Sequence, residues 1–162
     1  MIDEANVEQG LASFFIGHFE HRLDDKGRCS LPSDFRDILR EQNSEGSFVL
    51  IPPYGVRPCH FAVSRTGLAR IIKALPEREF ASPGELEATR RHFTTRAKLI
   101  TYEPNGRFIL GLAQREAFRL PKGGDLVFAG YGTTFEIWSK PDYEQNLPGP
   151  EVEPAPIDPW EL

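Results

Sequence analysis

The chain has 162 residues, 40% hydrophobic and 27% charged, with a formal net charge of −5. That length can bury a core, and the hydrophobic share excludes a wholly disordered chain. Apolar runs such as FVLI at 48–51 and LVFA at 126–129 are strand-sized and fall well short of the roughly 20 residues that a membrane helix needs.

The charge is uneven. Residues 1–13 carry −3 and residues 146–162 carry −4, with no base in either, so the body between them is +2. Residues 90–119 alone hold Arg90, Arg91, Arg96, Lys98, Arg107, Arg115 and Arg119 against Glu103 and Glu116, a local +5. A basic body with acidic ends is compatible with a polyanionic partner. The start MIDEANVEQG lacks the positive region of a secretory signal, and the two cysteines cannot make a disulfide framework. A cytoplasmic setting is expected.

In chain order, an acidic extension (1–13) leads to Phe14-Phe15-Ile16, a plausible first strand or interface segment. Strand FEHRL, turn Asp24-Asp25-Lys26-Gly27 and strand RCSL follow. The turn glycine supplies the positive φ that a tight hairpin needs. A helix comes next, with Ser33 as its cap and Phe35, Ile38 and Leu39 on one face. Two strands, FVLIPP and CHFAVS, precede a helix with Leu68, Ile71, Ile72 and Leu75 at helical spacing. Ser82-Pro83-Gly84-Glu85 is a capping box that opens a linking helix. Then KLITY, Glu103-Pro104-Asn105-Gly106, RFIL, a short helix near 113–118 and strands DLVFAGYG and TFEIWS repeat the first order. The ending LPGPEVEPAPIDPWEL has five prolines and reads as an extended, mobile tail.

The body is a repeat. At an offset of 79, Gly27 meets Gly106, Arg28 meets Arg107, Leu31 meets Leu110 and Arg36 meets Arg115. The offset falls to 75 at HFAVS and FEIWS, as loop shortening would produce. The units span 14–76 and 97–145, joined by a helical linker over 77–96 and followed by the tail over 146–162. Each copy is too small to bury its own strand faces, so the two are expected to share one core in an α+β, mainly β, fold.

Other chemistry is poorly supported. His18, His21, His60, His92, Cys29 and Cys59 lack metal-site spacing, and both cysteines read as buried small hydrophobes. The carboxylates Asp24, Asp25 and Glu103 sit on solvated turns, unsuited to raised acid–base pKa values. No phosphate-binding glycine loop and no GxSxG occurs. The chain therefore reads as a non-enzyme without cofactor, metal, membrane partner or small-molecule substrate.

FIGHFEHRLDDKGRCSLPSDFR, EPNGRFIL and VFAGYGTTFEIWSKPDY resemble the MraZ family over about residues 14–145. The resemblance implies two swapped-hairpin modules of the SpoVT-AbrB type. It implies a cytoplasmic, nucleoid-associated regulator that closes into a ring. It also implies binding to short guanine-rich repeats in double-stranded DNA upstream of the cell-division and cell-wall gene cluster. The alternative is a non-enzymatic scaffold ring that binds a protein partner.

The family's Asp-x-x-x-Arg motif maps to Asp24…Arg28 and, with Glu for Asp and Pro104 in the turn, to Glu103…Arg107. An arginine presented by a two-stranded ribbon suits guanine O6 and N7 in the major groove. The candidate DNA-binding set is Arg28, Lys26, Gly27 and Asp24, with Arg107, Gly106, Asn105 and Glu103 in the second copy. Lys26 suits a phosphate, and Arg22 and Arg36 are candidates for further phosphate contacts.

Overall fold

The computed structural model describes residues 14–55, 57–146 and 153–161. The strands are β1 (His18–Leu23), β2 (Arg28–Ser30), β3 (Ser47–Ile51), β4 (His60–Val63), β5 (Lys98–Thr101), β6 (Arg107–Ile109), β7 (Gly124–Gly130) and β8 (Phe135–Ser139). The helices are α1 (Ser33–Glu41), α2 (Arg65–Ala74), α3 (Pro83–Phe93), α4 (Leu112–Ala117) and α5 (Lys140–Asn146). Six strands form an antiparallel sheet in the order β1-β7-β8-β4-β3-β5, while β2 and β6 pair as a separate ribbon.

The repeat governs this topology. Strands β1, β3 and β4 correspond to β5, β7 and β8, so the sheet order maps onto itself when the copies are exchanged. Phe61 pairs with Glu136 in the middle of the sheet, and Cys29 pairs with Phe108 in the middle of the ribbon. In each pair a residue faces its own counterpart in the other copy, which marks a pseudo-two-fold relation through both sheets.

Each glycine turn closes on itself, but its flanking strands find their ladder partners in the other copy. Asp24 N–H donates to Arg28 O at 3.0 Å and Gly27 N–H to Asp24 O at 3.1 Å. Beyond the turn, β1 pairs with β7 and β5 with β3, while β2 pairs with β6. The simple hairpin of FEHRL with RCSL is thus replaced by exchange between copies. A lone hairpin is marginal in water, and pairing across copies builds a sheet wide enough to carry a core.

Both sheet faces are covered, which explains the unbroken apolar runs in β3 and β7. On one face Phe48, Leu50, Leu126, Phe128, Phe135 and Ile137 join the ribbon's Cys29 and Phe108 and α1's Phe35 and Leu39. Phe15, Phe35 and Phe135 pack with ring centroids 4.9–5.2 Å apart. On the other face Val49, Ile51 and Val63 meet Leu75 and Phe93, with Leu68 and Ile71 of α2 packed against them. Val127, Ala129, Trp138 and Cys59 form a smaller cluster there.

Local signals had mixed outcomes. Ser82 accepts from Glu85 N–H at 3.1 Å, as the capping box predicts. Ser33 is the first residue of α1 and not its cap; Pro32 holds that place, with no side-chain cap. Phe14-Phe15-Ile16 forms no strand: Phe15 is buried and makes a single bridge to Gly132. Helix α5 follows β8 directly and was not anticipated from KPDYEQN. Of the tail, residues 147–152 and 162 lie outside the described residues, while 153–161 are exposed and end in a short 3-10 turn, Pro159–Glu161.

Candidate nucleic-acid interface

The ribbon alternates strictly. Cys29 and Phe108 point into the core, while Arg28, Arg107 and Ile109 are exposed and Ser30 is half-buried. The register places Arg28 opposite Ile109 and Arg107 opposite Ser30. Successive side chains on a strand point to opposite faces, so all four share the outer face, with the two arginines diagonal to one another. An open groove of about 720 Å³ runs along it, lined by both arginines, Asp24, Glu103, Arg22 and His21 among others.

Close backbone approach makes this arrangement possible. Leu110 N–H donates to Gly27 O at 2.8 Å, and Leu31 N–H donates to Gly106 O at 2.9 Å. These are the same bond in the two copies. Gly27 has φ +86°, and a Cβ there would lie 2.0 Å from Leu110 O. Only glycine fits that conformation and that contact. Gly106, at φ +88°, would meet Arg36 Cδ and Nε at 2.9 Å and Leu31 O at 3.0 Å.

The first tip is clamped by its carboxylate. Asp24 Oδ1 accepts from Lys26 N–H at 2.9 Å and from Arg28 N–H at 2.8 Å. Asp24 Oδ2 accepts from Arg28 Nε at 2.6 Å. The Arg28 backbone N–H, then its guanidinium, hold the Asp24 carboxyl below its ordinary pKa. The Arg28 side chain remains 59% exposed. Its Nε is occupied while the outer part of the fork stays accessible.

The second tip is built differently. Arg107 N–H donates to Asn105 Oδ1 at 3.0 Å, so Asn105 does part of the work that Asp24 does in the first copy. Among the described residues Arg28 is ion-paired with a turn carboxylate and Arg107 is not. The Glu103 backbone still closes the turn, accepting from Gly106 N–H at 2.7 Å.

The remaining cations divide. Lys26 is exposed at the first tip, and Arg22 is exposed beside Asp125 at 3.6 Å. Arg36 is half-buried, and its Nη1 donates to Pro104 O at 2.7 Å. Arg115, its counterpart, donates to Asp25 O. Each arginine thus braces the other copy's turn from behind. Arg115 was visible in the repeat as the partner of Arg36, but the cross-copy contact has no local sequence signal. The same holds for Ile109, whose exposure follows only from the ribbon's register.

Among the described residues no group of three or more His, Cys, Asp or Glu side chains could hold a metal ion. Both cysteines are buried, and burial pushes the Cys29 thiol up to about 12. No described helix is long and apolar enough to cross a membrane.

No protein-family model matches the chain. Individual relatives do. It is 31% identical over 134 residues to the transcriptional regulator MraZ of Syntrophobacter fumaroxidans, covering 83% of this chain and 85% of the relative. It is 32% identical over 140 residues to MraZ of Caldanaerobacter subterraneus subsp. tengcongensis, covering 85% and 89%. It is 33% identical over 136 residues to MraZ of Roseiflexus castenholzii, covering 82% and 85%. Likeness at this level along most of both chains makes this protein a member of the MraZ family, a family of transcriptional regulators and not of enzymes.

Proposed function

We propose that this chain is a sequence-specific DNA-binding regulator whose β2–β6 ribbon enters the major groove and reads guanine through Arg28 and Arg107. The observation that carries this reading is the ribbon's outer face, where two exposed arginines from separate copies lie diagonally across from one another. A two-stranded ribbon fits the roughly 12 Å width of the major groove. Each bidentate arginine–guanine pair contributes about 1–3 kcal/mol of discrimination. The Asp24 clamp holds Arg28 before DNA arrives, which reduces the side-chain freedom lost on binding. Lys26 and Arg22 supply phosphate contacts at the rim.

The exchange of strand partners supports a swapped-hairpin module of the SpoVT-AbrB type. The target is a set of short guanine-rich repeats upstream of the cell-division and cell-wall gene cluster, and the working form is a closed ring in the cytoplasm, on the nucleoid. One protomer offers one ribbon. A closed head-to-tail ring aligns several, and tethered weak contacts then gain avidity.

The test is a footprint on the DNA upstream of the protein's own gene, with affinity measured across a salt series. Protection of regularly spaced guanine-rich repeats is expected, with a log–log salt slope near −0.9 per phosphate contact. A scaffold that binds only protein would show no retention on duplex DNA even at low salt.

A further inference from the structure

Ile109 is the outlier of the ribbon's outer face. It is a β-branched apolar residue, 67% exposed, on a surface otherwise made by Arg28, Arg107 and Ser30. Its counterpart in the first copy is Ser30, so the face departs from two-fold equivalence at this position. Across the ladder it stands directly opposite Arg28, the clamped arginine, and it lines the same groove. Its chain neighbours, Phe108 on the strand and Leu110 just past its end, are buried in the core, so its outward direction follows from the pleat.

We infer that Ile109 is a specificity-determining residue: its side chain packs on the C5-methyl group of a thymine beside the guanine read by Arg28. This rests on the DNA-reading role of the ribbon and goes beyond it by assigning a base class to one further position. In the major groove thymine alone among the four bases carries a methyl group, and an apolar side chain is what recognises it. Opposed side chains on a ribbon stand about 4.5–5.5 Å apart at Cβ. Arg28 and Ile109 therefore reach neighbouring base pairs. The Arg107–Ser30 pair has no such apolar group, since serine carries only a short hydroxyl side chain that is compatible with several base edges. The ribbon therefore reads its two half-contacts unequally, and bound DNA has a preferred direction.

The experiment begins with duplexes recovered by the wild-type protein from a randomised pool. Each thymine is then replaced singly by deoxyuridine, which deletes only the methyl and leaves pairing intact. Wild type is expected to lose about fourfold in affinity at one thymine next to the guanine required by Arg28, the worth of one buried CH₂-sized group. Ile109→Ser should bind the thymine and uracil duplexes equally, and Ile109→Val should keep a reduced response. If wild type ignores every uracil while Arg28→Ala still abolishes specific binding, the Ile109 assignment fails and the ribbon reading stands. If Arg28→Ala binds like wild type, the ribbon reading itself fails. A change of assembly mass in Ile109→Ser by light scattering would make Ile109 a subunit contact and overturn the inference.

Discussion

Arg28 and Arg107 stand 79 positions apart in the chain and diagonally adjacent on one exposed ribbon face. The two motifs form a single surface, and that surface is asymmetric: Arg28 is clamped by Asp24, while among the described residues Arg107 has no turn carboxylate as ion-pair partner and donates its backbone N–H to Asn105.

The asymmetry sets an order of effects. Arg28→Ala should remove specific DNA binding, with a loss of about 1–3 kcal/mol per ribbon multiplied across an assembly. Arg107→Ala should be milder. Asp24→Asn keeps an acceptor for the backbone N–H groups but loses the ion pair, and should weaken specific binding by up to about fivefold. Shift assays at fixed salt rank the three. An Arg107→Ala loss equal to that of Arg28→Ala would show that the clamp is unimportant.

The glycines should differ in stability cost. Gly27→Ala places a Cβ 2.0 Å from a backbone carbonyl and forces a positive φ on alanine, so more than about 2 kcal/mol should be lost. Gly106→Ala shares the φ penalty, but its nearest atoms, on the Arg36 side chain and Leu31 O, stand at 2.9–3.0 Å and not at 2.0 Å, so the loss should be smaller. Urea unfolding of the two variants measures the gap, and a Gly106→Ala cost as large as that of Gly27→Ala would contradict it.

Acid should destabilise the fold through His60. This side chain is 3% exposed, its Nδ1 is buried without a hydrogen-bond partner among the described residues, and its ring stacks on Phe118 at 3.9 Å. Burial lowers its pKa to about 4 from an ordinary 6.5. Between those values the unfolded chain binds a proton that the folded chain refuses, so stability falls as pH drops from 6.5 toward 4. The slope from this one group is at most about 1.4 kcal/mol per pH unit. His60→Phe should flatten melting temperature against pH in that window, and an unchanged slope would assign the acid sensitivity elsewhere.

Arg36 separates bracing from phosphate contact. Arg36→Gln removes the bond to Pro104 O and should lower stability by about 1 kcal/mol. The salt slope of DNA binding should stay within experimental error of wild type. A drop of about 0.9 in that slope would mean that Arg36 neutralises a phosphate.

Much of the molecule was legible in the chain itself. Alternation and turn glycines located the strands, helical spacing located α2, and Ser82 with Glu85 located the start of α3. The offset of 79 paired Gly27 with Gly106 and Arg28 with Arg107, because a duplicated unit keeps residues where its backbone needs them. Ser33 misled because a good capping residue is equally at home in the first turn. The α5 segment KPDYEQN was missed because seven residues carry too little periodicity to register.

Read residue by residue, the chain yields a list of parts: two copies, two turns, two outward arginines and a shared need for a partner surface. Who pairs with whom is settled by long-range packing. Strand propensity is satisfied by any partner of matching pattern, and the choice between self-pairing and exchange is made by non-local burial. That choice brought Arg28 opposite Ile109, turned Arg36 and Arg115 into cross-braces, and joined two distant motifs into one face.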